Sequence, residues 1–273
     1  METDQRPVEE KKLRRLNYCL TDTDGQILTI IVNRPEVLNS LNREAHYELS
    51  SVFDEFADDN NLRVAIIAAT GDRAFCVGSD LKAKTVSKNP VDEEPPTGFA
   101  GLCKRFDLNK PVIAAVNGAA IGGGLEIVLA CDLAVAADHA VFSLPEPRVG
   151  QAALGGGGLQ RLVRQVPLKQ AMYLILTGGK ITAAEALAMG LINEVVPASD
   201  VLAKARELAE MIILSAPLSI EASKAVALSS LSHSLERSIL DHHPAAVRML
   251  MSEDAKEGPR AFSEKRAPRW LGR

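Results

Sequence analysis

Short apolar runs alternate with helical stretches through the first two thirds of the chain, and helical periodicity fills the remainder. Residues 26–33 (QILTIIVN) read as a strand after the turn signal Asp24-Gly25, and Arg34-Pro35 ends it. Asn42 can cap a helix to about Asp58, with Ala45, Leu49, Val52, Phe53 and Phe56 sharing one face. Residues 63–69 (RVAIIAA) are apolar after the first position, the pattern of a strand buried on both faces. Residues 98–107 read as a short helix returning the chain to a brief, partly β-branched strand at 112–116, closed by Asn117-Gly118. A helix then follows Gly122-Gly123-Gly124, and residues 133–137 and 140–143 read as further short strands.

Four glycines at 155–158 open another helix, LQRLVRQV, and Pro167 starts the next at 168–176. Thr182 and Glu185 form a capping box ahead of a helix ending at Gly190, and residues 192–196 make a strand closed by Pro197. Beyond Ser199 strand signals vanish. Helices are predicted at about 199–214, 217–231, 234–251 and 258–263. The expected organisation is an α/β core over residues 1–198 and a helical segment over 199–273.

Composition narrows the function classes. A net charge of −4 with no clustered basic face gives no support for nucleic acid binding, and 4% aromatic residues supply little for base stacking. The four cysteines, Cys19, Cys76, Cys103 and Cys131, stand far apart and form no C-x-x-C pair, so reduced thiols in the cytoplasm are expected. No apolar run reaches membrane-spanning length, so no membrane association is expected. The amino-terminal stretch mixes both charges without an apolar signal core, and its EEKKLRR run reads as a solvated arm. His242-His243 lacks neighbouring ligands, so no metal is expected.

Candidate chemistry lies within residues 111–149. The first N–H groups of a helix have no intrahelical partner, and glycines let another group approach them, a ready site for negative charge. The glycine clusters are not dinucleotide or P-loop fingerprints: Ile127 and Gln160 occupy the final glycine positions, and no Lys-[Ser/Thr] follows. Glu126 is the one charged residue between Leu125 and Ala130, so the helix looks buried all round. A buried carboxylate is costly unless it is hydrogen-bonded or used. Glu146, between Pro145 and Pro147, could be a rigid surface turn or a second working carboxylate. Ser79 and the glycine turn could equally be tight packing. Together, an anion-stabilising turn and two carboxylates suggest chemistry on a carbonyl compound.

Three pieces in order, AFCVGSDLK (74–82), AAVNGAAIGGGLEIVLACD (114–132) and LPEPRVG (144–150), resemble the crotonase superfamily, the enoyl-CoA hydratase/isomerase family. The likeness runs from LTIIVNRP (28–35) to EGPRAFSEKR (257–266). It implies a spiral of repeated β-β-α turns with a carboxy-terminal helical segment used to form a homotrimer or dimer of trimers. It implies an acyl-CoA thioester substrate, coenzyme A being part of the substrate rather than a separate cofactor. The peptide N–H groups of Ser79 and Gly123 would form an oxyanion hole, and Glu126 and Glu146 would be the catalytic pair. Ser79, Asp80, Leu81 and Lys82 would line the CoA path, with Phe262 and Lys265 of a neighbouring subunit at the adenine. The reaction implied is reversible addition of water across the 2,3 double bond of an enoyl-CoA. Double-bond isomerisation and non-catalytic acyl-CoA binding are the alternatives.

Three departures stand out: Ser79 where alanine is common, Glu36 where some members have lysine, and QAALGGGG (151–158) without the proline common in hydratases. GFAGL (98–102) before Arg105-Phe106-Asp107, and His243-Pro244 ahead of SEDAKEGP (252–259), look like carnitinyl-CoA dehydratases. Those act on a cationic acyl group, so an acidic residue facing it is expected, with Asp92, Glu93 and Glu94 as candidates.

Overall fold

Eleven strands lie in two sheets of the computed structural model, which describes residues 13–80 and 94–273. In chain order they are β1 (Arg14–Arg15), β2 (Cys19–Asp24), β3 (Ile27–Val32), β4 (Val64–Ala69), β5 (Ala74–Cys76) and β6 (Val112–Val116). There follow β7 (Ala119–Ile121), β8 (Leu133–Ala137), β9 (Val141–Ser143), β10 (Lys180–Thr182) and β11 (Glu194–Val196). The larger sheet runs β1-β2-β3-β4-β6-β8-β11, the smaller β10-β9-β7-β5. Pairing is parallel from β3 through β11 and antiparallel in the β1-β2-β3 meander.

The spiral follows from this order. β4, β6 and β8 each place a strand in the large sheet, and the next strand, β5, β7 or β9, crosses into the small one. Each turn therefore advances both sheets by one strand. The large-sheet strands are apolar on both faces because both faces are covered; Val64, Ile66, Ile67, Ile113 and Val116 have no exposed surface. Ligands of parallel sheets bind beyond the carboxyl ends of the strands, which directs attention to the segments leaving β5, β7 and β9.

Most predicted elements are present. The helix Arg43–Asp58 begins at Asn42, whose side chain accepts from the Ala45 N–H, and it buries the expected face plus His46 and Ser50. The capping box of Thr182 and Glu185 is formed. Two predictions differ. Residues 98–107 hold only a 3-10 turn, Phe99–Gly101, because Ala100 takes a left-handed conformation at φ 54°. Residues 234–251 form two helices, Leu235–Leu240 and Pro244–Leu250, because a proline disfavours helix at the residue before it and lacks an N–H. Arg14 and Arg15 of the charged arm are exposed but pair with Thr21 and Leu20 as β1.

The helix Val201–Ile213 packs on the large sheet through Val201, Ala205 and Ala209, four residues apart on one face. Beyond it, Pro217–Ser230 and Pro244–Leu250 pack on each other. No single helix among the described residues is long and apolar enough to cross a membrane.

Candidate active site

The helix Gly123–Ala130 starts where β5 and β7 lie side by side. Gly122 precedes it at φ 56°, a conformation glycine adopts without a Cβ penalty. A side chain at Gly124 would overlap the Cys76 carbonyl, and one at Gly123 would overlap the Phe99 ring. The glycines are thus required by contact, and the helix start is pressed against the end of β5. Gly78 closes the approach: at φ 90°, its missing Cβ would sit 3.2 Å from the Gly123 nitrogen.

Ser79 is held by a one-residue bridge to Leu41. Leu41 N–H donates to the Gly78 carbonyl at 2.9 Å, and Asp80 N–H donates to the Leu41 carbonyl at 2.8 Å. In that parallel pattern Ser79's own N–H points away from Leu41. Among the described residues neither the Ser79 nor the Gly123 N–H has an acceptor. Two unused donors therefore lie on adjoining backbones, one at a helix N-terminus where the dipole favours negative charge.

Glu126 lies one turn into the same helix and is 3% exposed. Its Oε1 accepts from the Gly158 N–H at 2.8 Å, and a Cβ on Gly156 would come 2.9 Å from Oε2. The tetraglycine loop therefore lies directly on the carboxyl group. Burial pushes the Glu126 pKa above its ordinary value, while the Gly158 and Gly156 N–H groups oppose the rise; the Glu94 charge adds to it and Arg161 lowers it.

Glu146 reaches the site from the other side. It opens the 3-10 turn Glu146–Val149, and its Oε1 lies where a Cβ on Gly122 would be only 2.8 Å away. Its Oε2 is buried, with no hydrogen-bond partner among the described residues. Burial raises its pKa, its own N–H opposes this, and the Glu126 charge raises it further. The Glu126 charge is thus felt by Glu146 at the glycine turn.

Other expected residues lie elsewhere. Asp80 turns its carboxylate to Arg34 Nη2 at 3.2 Å, so it anchors the Gly78–Asp80 segment. Leu81 and Lys82 fall outside the described residues, as do Asp92 and Glu93. Phe262, 87% exposed, and Lys265, at φ 52°, lie at the end of the helix Asp254–Ser263, and no hydrogen bond or ion pair joins them to the glutamates. Among the described residues no three His, Cys, Asp or Glu side chains gather as a metal ion would require.

Comparison with known proteins identifies the family. The model of the enoyl-CoA hydratase/isomerase family matches residues 22–273. The chain belongs to that family. It is 45% identical over 258 residues to a carnitinyl-CoA dehydratase of Proteus mirabilis strain HI4320, covering 92% of this chain and 97% of that protein. A carnitinyl-CoA dehydratase of Escherichia coli O157:H7 is 43% identical over 257 residues, with 92% and 97% covered. Among solved structures, an enoyl-CoA hydratase from Mycobacterium tuberculosis H37Rv superposes with a TM-score of 0.87 at 38% identity, covering 94% of this chain and 99% of that one. An enoyl-CoA hydratase from Mycobacterium marinum gives 0.88, also at 38% identity, with the same coverage.

Within this enoyl-CoA hydratase/isomerase chain, several supporting residues escape a reading of pattern alone. Asn39, 1% exposed and at φ 56°, accepts from the Arg34 N–H and donates to the Thr70 and Ala74 carbonyls, tying β4 to β5. Buried His46 accepts the Ala100 N–H on Nδ1 at 3.0 Å and stacks edge-on with Phe99 at 4.5 Å. Phe99 in turn backs Gly123. Asn39 offers a faint signal, since asparagine tolerates the left-handed region; His46 sits on an apolar helical face and offers none.

Proposed function

We propose that Glu126 and Glu146 add water to, or remove it from, an acyl-CoA thioester, with the thioester oxygen held by the Ser79 and Gly123 N–H groups. The observation that carries this is the approach of buried Glu126 and half-buried Glu146 to a helix start where two N–H donors have no acceptor among the described residues. Addition of water to an enoyl thioester builds enolate charge on the thioester oxygen. Preorganised N–H donors stabilise that charge as it develops, more strongly in a site from which water is excluded.

In the hydration direction Glu126, fixed by Gly158, orients the water and accepts its proton as the oxygen bonds to C3. Glu146 delivers a proton to C2 as the enolate collapses. Dehydration runs the same steps backwards: Glu146 removes the C2 proton, and Glu126 protonates the departing hydroxyl. The raised pKa values of both groups suit such exchange, because a carboxyl buried in apolar surroundings holds a proton at higher pH than an exposed one.

Similarity to carnitinyl-CoA dehydratases supports a cationic, short acyl group. The exposed apolar side chains of the carboxy-terminal helices, among them Leu235, Ile239, Val247 and Met251, support a homotrimer or dimer of trimers in which Phe262 and Lys265 meet a neighbour's CoA. Four buried free cysteines fit a reducing cytoplasmic setting. The test is the loss of conjugated-thioester absorbance when crotonobetainyl-CoA or crotonyl-CoA is supplied. An inactive wild type across an enoyl-CoA panel would remove the proposal.

A further inference from the structure

A third carboxylate approaches the reacting pair. Glu94 Oε1 lies where a Cβ on Gly155 would be 2.9 Å away, and the next residue, Gly156, bears the same relation to Glu126 Oε2. Glu94 and Glu126 therefore lie against consecutive glycines of the same loop. Its side chain is 22% exposed, and among the described residues it pairs with Lys104, whose Nζ is 3.7 Å from Oε2 and whose own side chain is 51% exposed.

The backbone that carries Glu94 is fixed. Pro95 and Pro96 follow it, Gly98 N–H donates to the Pro95 carbonyl, and Lys104 N–H donates to the Thr97 carbonyl, both at 2.8 Å. Thr97 Oγ1 bonds Ser50 Oγ on the helix Arg43–Asp58 at 2.8 Å. The carboxylate is therefore delivered to the loop by a pinned segment. Its presence is electrostatically costly, because it adds negative charge beside Glu126. A cation placed between the two would offset that cost.

We propose that Glu94 selects a cationic acyl group by taking its quaternary ammonium end, an inference that rests on the acyl-CoA reading above. In a carnitine-type acyl chain the cationic nitrogen is bonded to the carbon next to the one that exchanges water. With Glu126 at that reacting carbon, the cationic end lies close by, and Glu94 is set against the neighbouring glycine of the same loop. A quaternary ammonium has no N–H, so it needs a charge at close range rather than a hydrogen-bond acceptor. Lys104 is the exposed counter-ion that such a substrate displaces.

Calorimetric titration with two unreactive ligands tests this: 4-trimethylammoniobutyryl-CoA and its neutral isostere 5,5-dimethylhexanoyl-CoA. The wild type binds the cationic ligand more tightly, and Glu94→Gln weakens it about tenfold relative to the neutral one, the scale of a partly exposed ion pair with good geometry. Lys104→Ala shifts the ratio the opposite way. An unchanged ratio in Glu94→Gln, equal weakening of both ligands, or no cationic preference in the wild type would overturn the assignment. Neither ligand carries the double bond, so the role of Glu94 is tested separately from whether the enzyme hydrates enoyl-CoA.

Discussion

Glu126 and Glu146 are held by different means, and the division of work proposed for them rests on that difference. Glu126 has a peptide N–H fixing one oxygen, so its orientation is set before substrate arrives. Glu146 has a buried oxygen that no described residue bonds. Removing proton-transfer ability from either, as Glu126→Gln or Glu146→Gln, is expected to lower kcat by about a hundred- to ten-thousandfold, with acyl-CoA binding retained in titrations.

The same burial has a stability signature. Because the folded Glu126 pKa lies above its ordinary value of 4.5, ionisation costs the folded state more than the unfolded one. That cost is absent below the unfolded value and grows as pH rises through the folded value. Glu126→Gln, which can still accept from Gly158, is therefore expected to melt above the wild type at pH 7.5, with the gap closing towards pH 4.5. A gap independent of pH would contradict the burial argument. At this scale Glu126 was legible, since one charge in an apolar helix is anomalous. Glu94 was legible only as one of three acids, because its neighbour Gly155 is brought to it by folding rather than by spacing.

Among elements, the helix Arg43–Asp58 does more than cover the sheet. Its Asn42 cap fixes its start, His46 holds the Ala100 N–H, and Phe99 then backs Gly123. Asn42→Ala is expected to cost about 1 kcal/mol, read as a lower urea midpoint. Gly124→Ala is expected to cost about 1–3 kcal/mol or more, since the methyl group meets a backbone carbonyl that cannot rotate away. Period and capping residues made this helix and β3, β4, β6 and β8 readable. They failed at residues 98–107, where a left-handed alanine and contacts to His46 and Ser50 override a helical pattern. Pro244 did mark the break in 234–251, but the apolar period continues across it and conceals the stop.

For the whole molecule, the spiral brings to one place a strand end near residue 78, a helix start at 123, a turn at 146 and a loop at 155–158. No local pattern reports that convergence; it was visible only through likeness to a known family. The large apolar side chains left uncovered on the last helices, with Ile239 at 72% and Met251 at 79% exposure, are what a second subunit would bury. Ile239→Asp is expected to shift sedimentation from a trimer or larger species to smaller ones, with a loss of turnover if Phe262 and Lys265 serve a neighbour's substrate. A wild type that sediments as a monomer at micromolar concentration would contradict the assembly.

In the proposed reaction, two glutamates and two backbone donors exchange water with an enoyl thioester. The most direct test is the conjugated-thioester absorbance of crotonobetainyl-CoA, followed with wild type, Glu126→Gln and Glu146→Gln at equal concentration. The absorbance should fall with the wild type and stay nearly constant with either variant. Equal rates from all three proteins would contradict the assignment of the site.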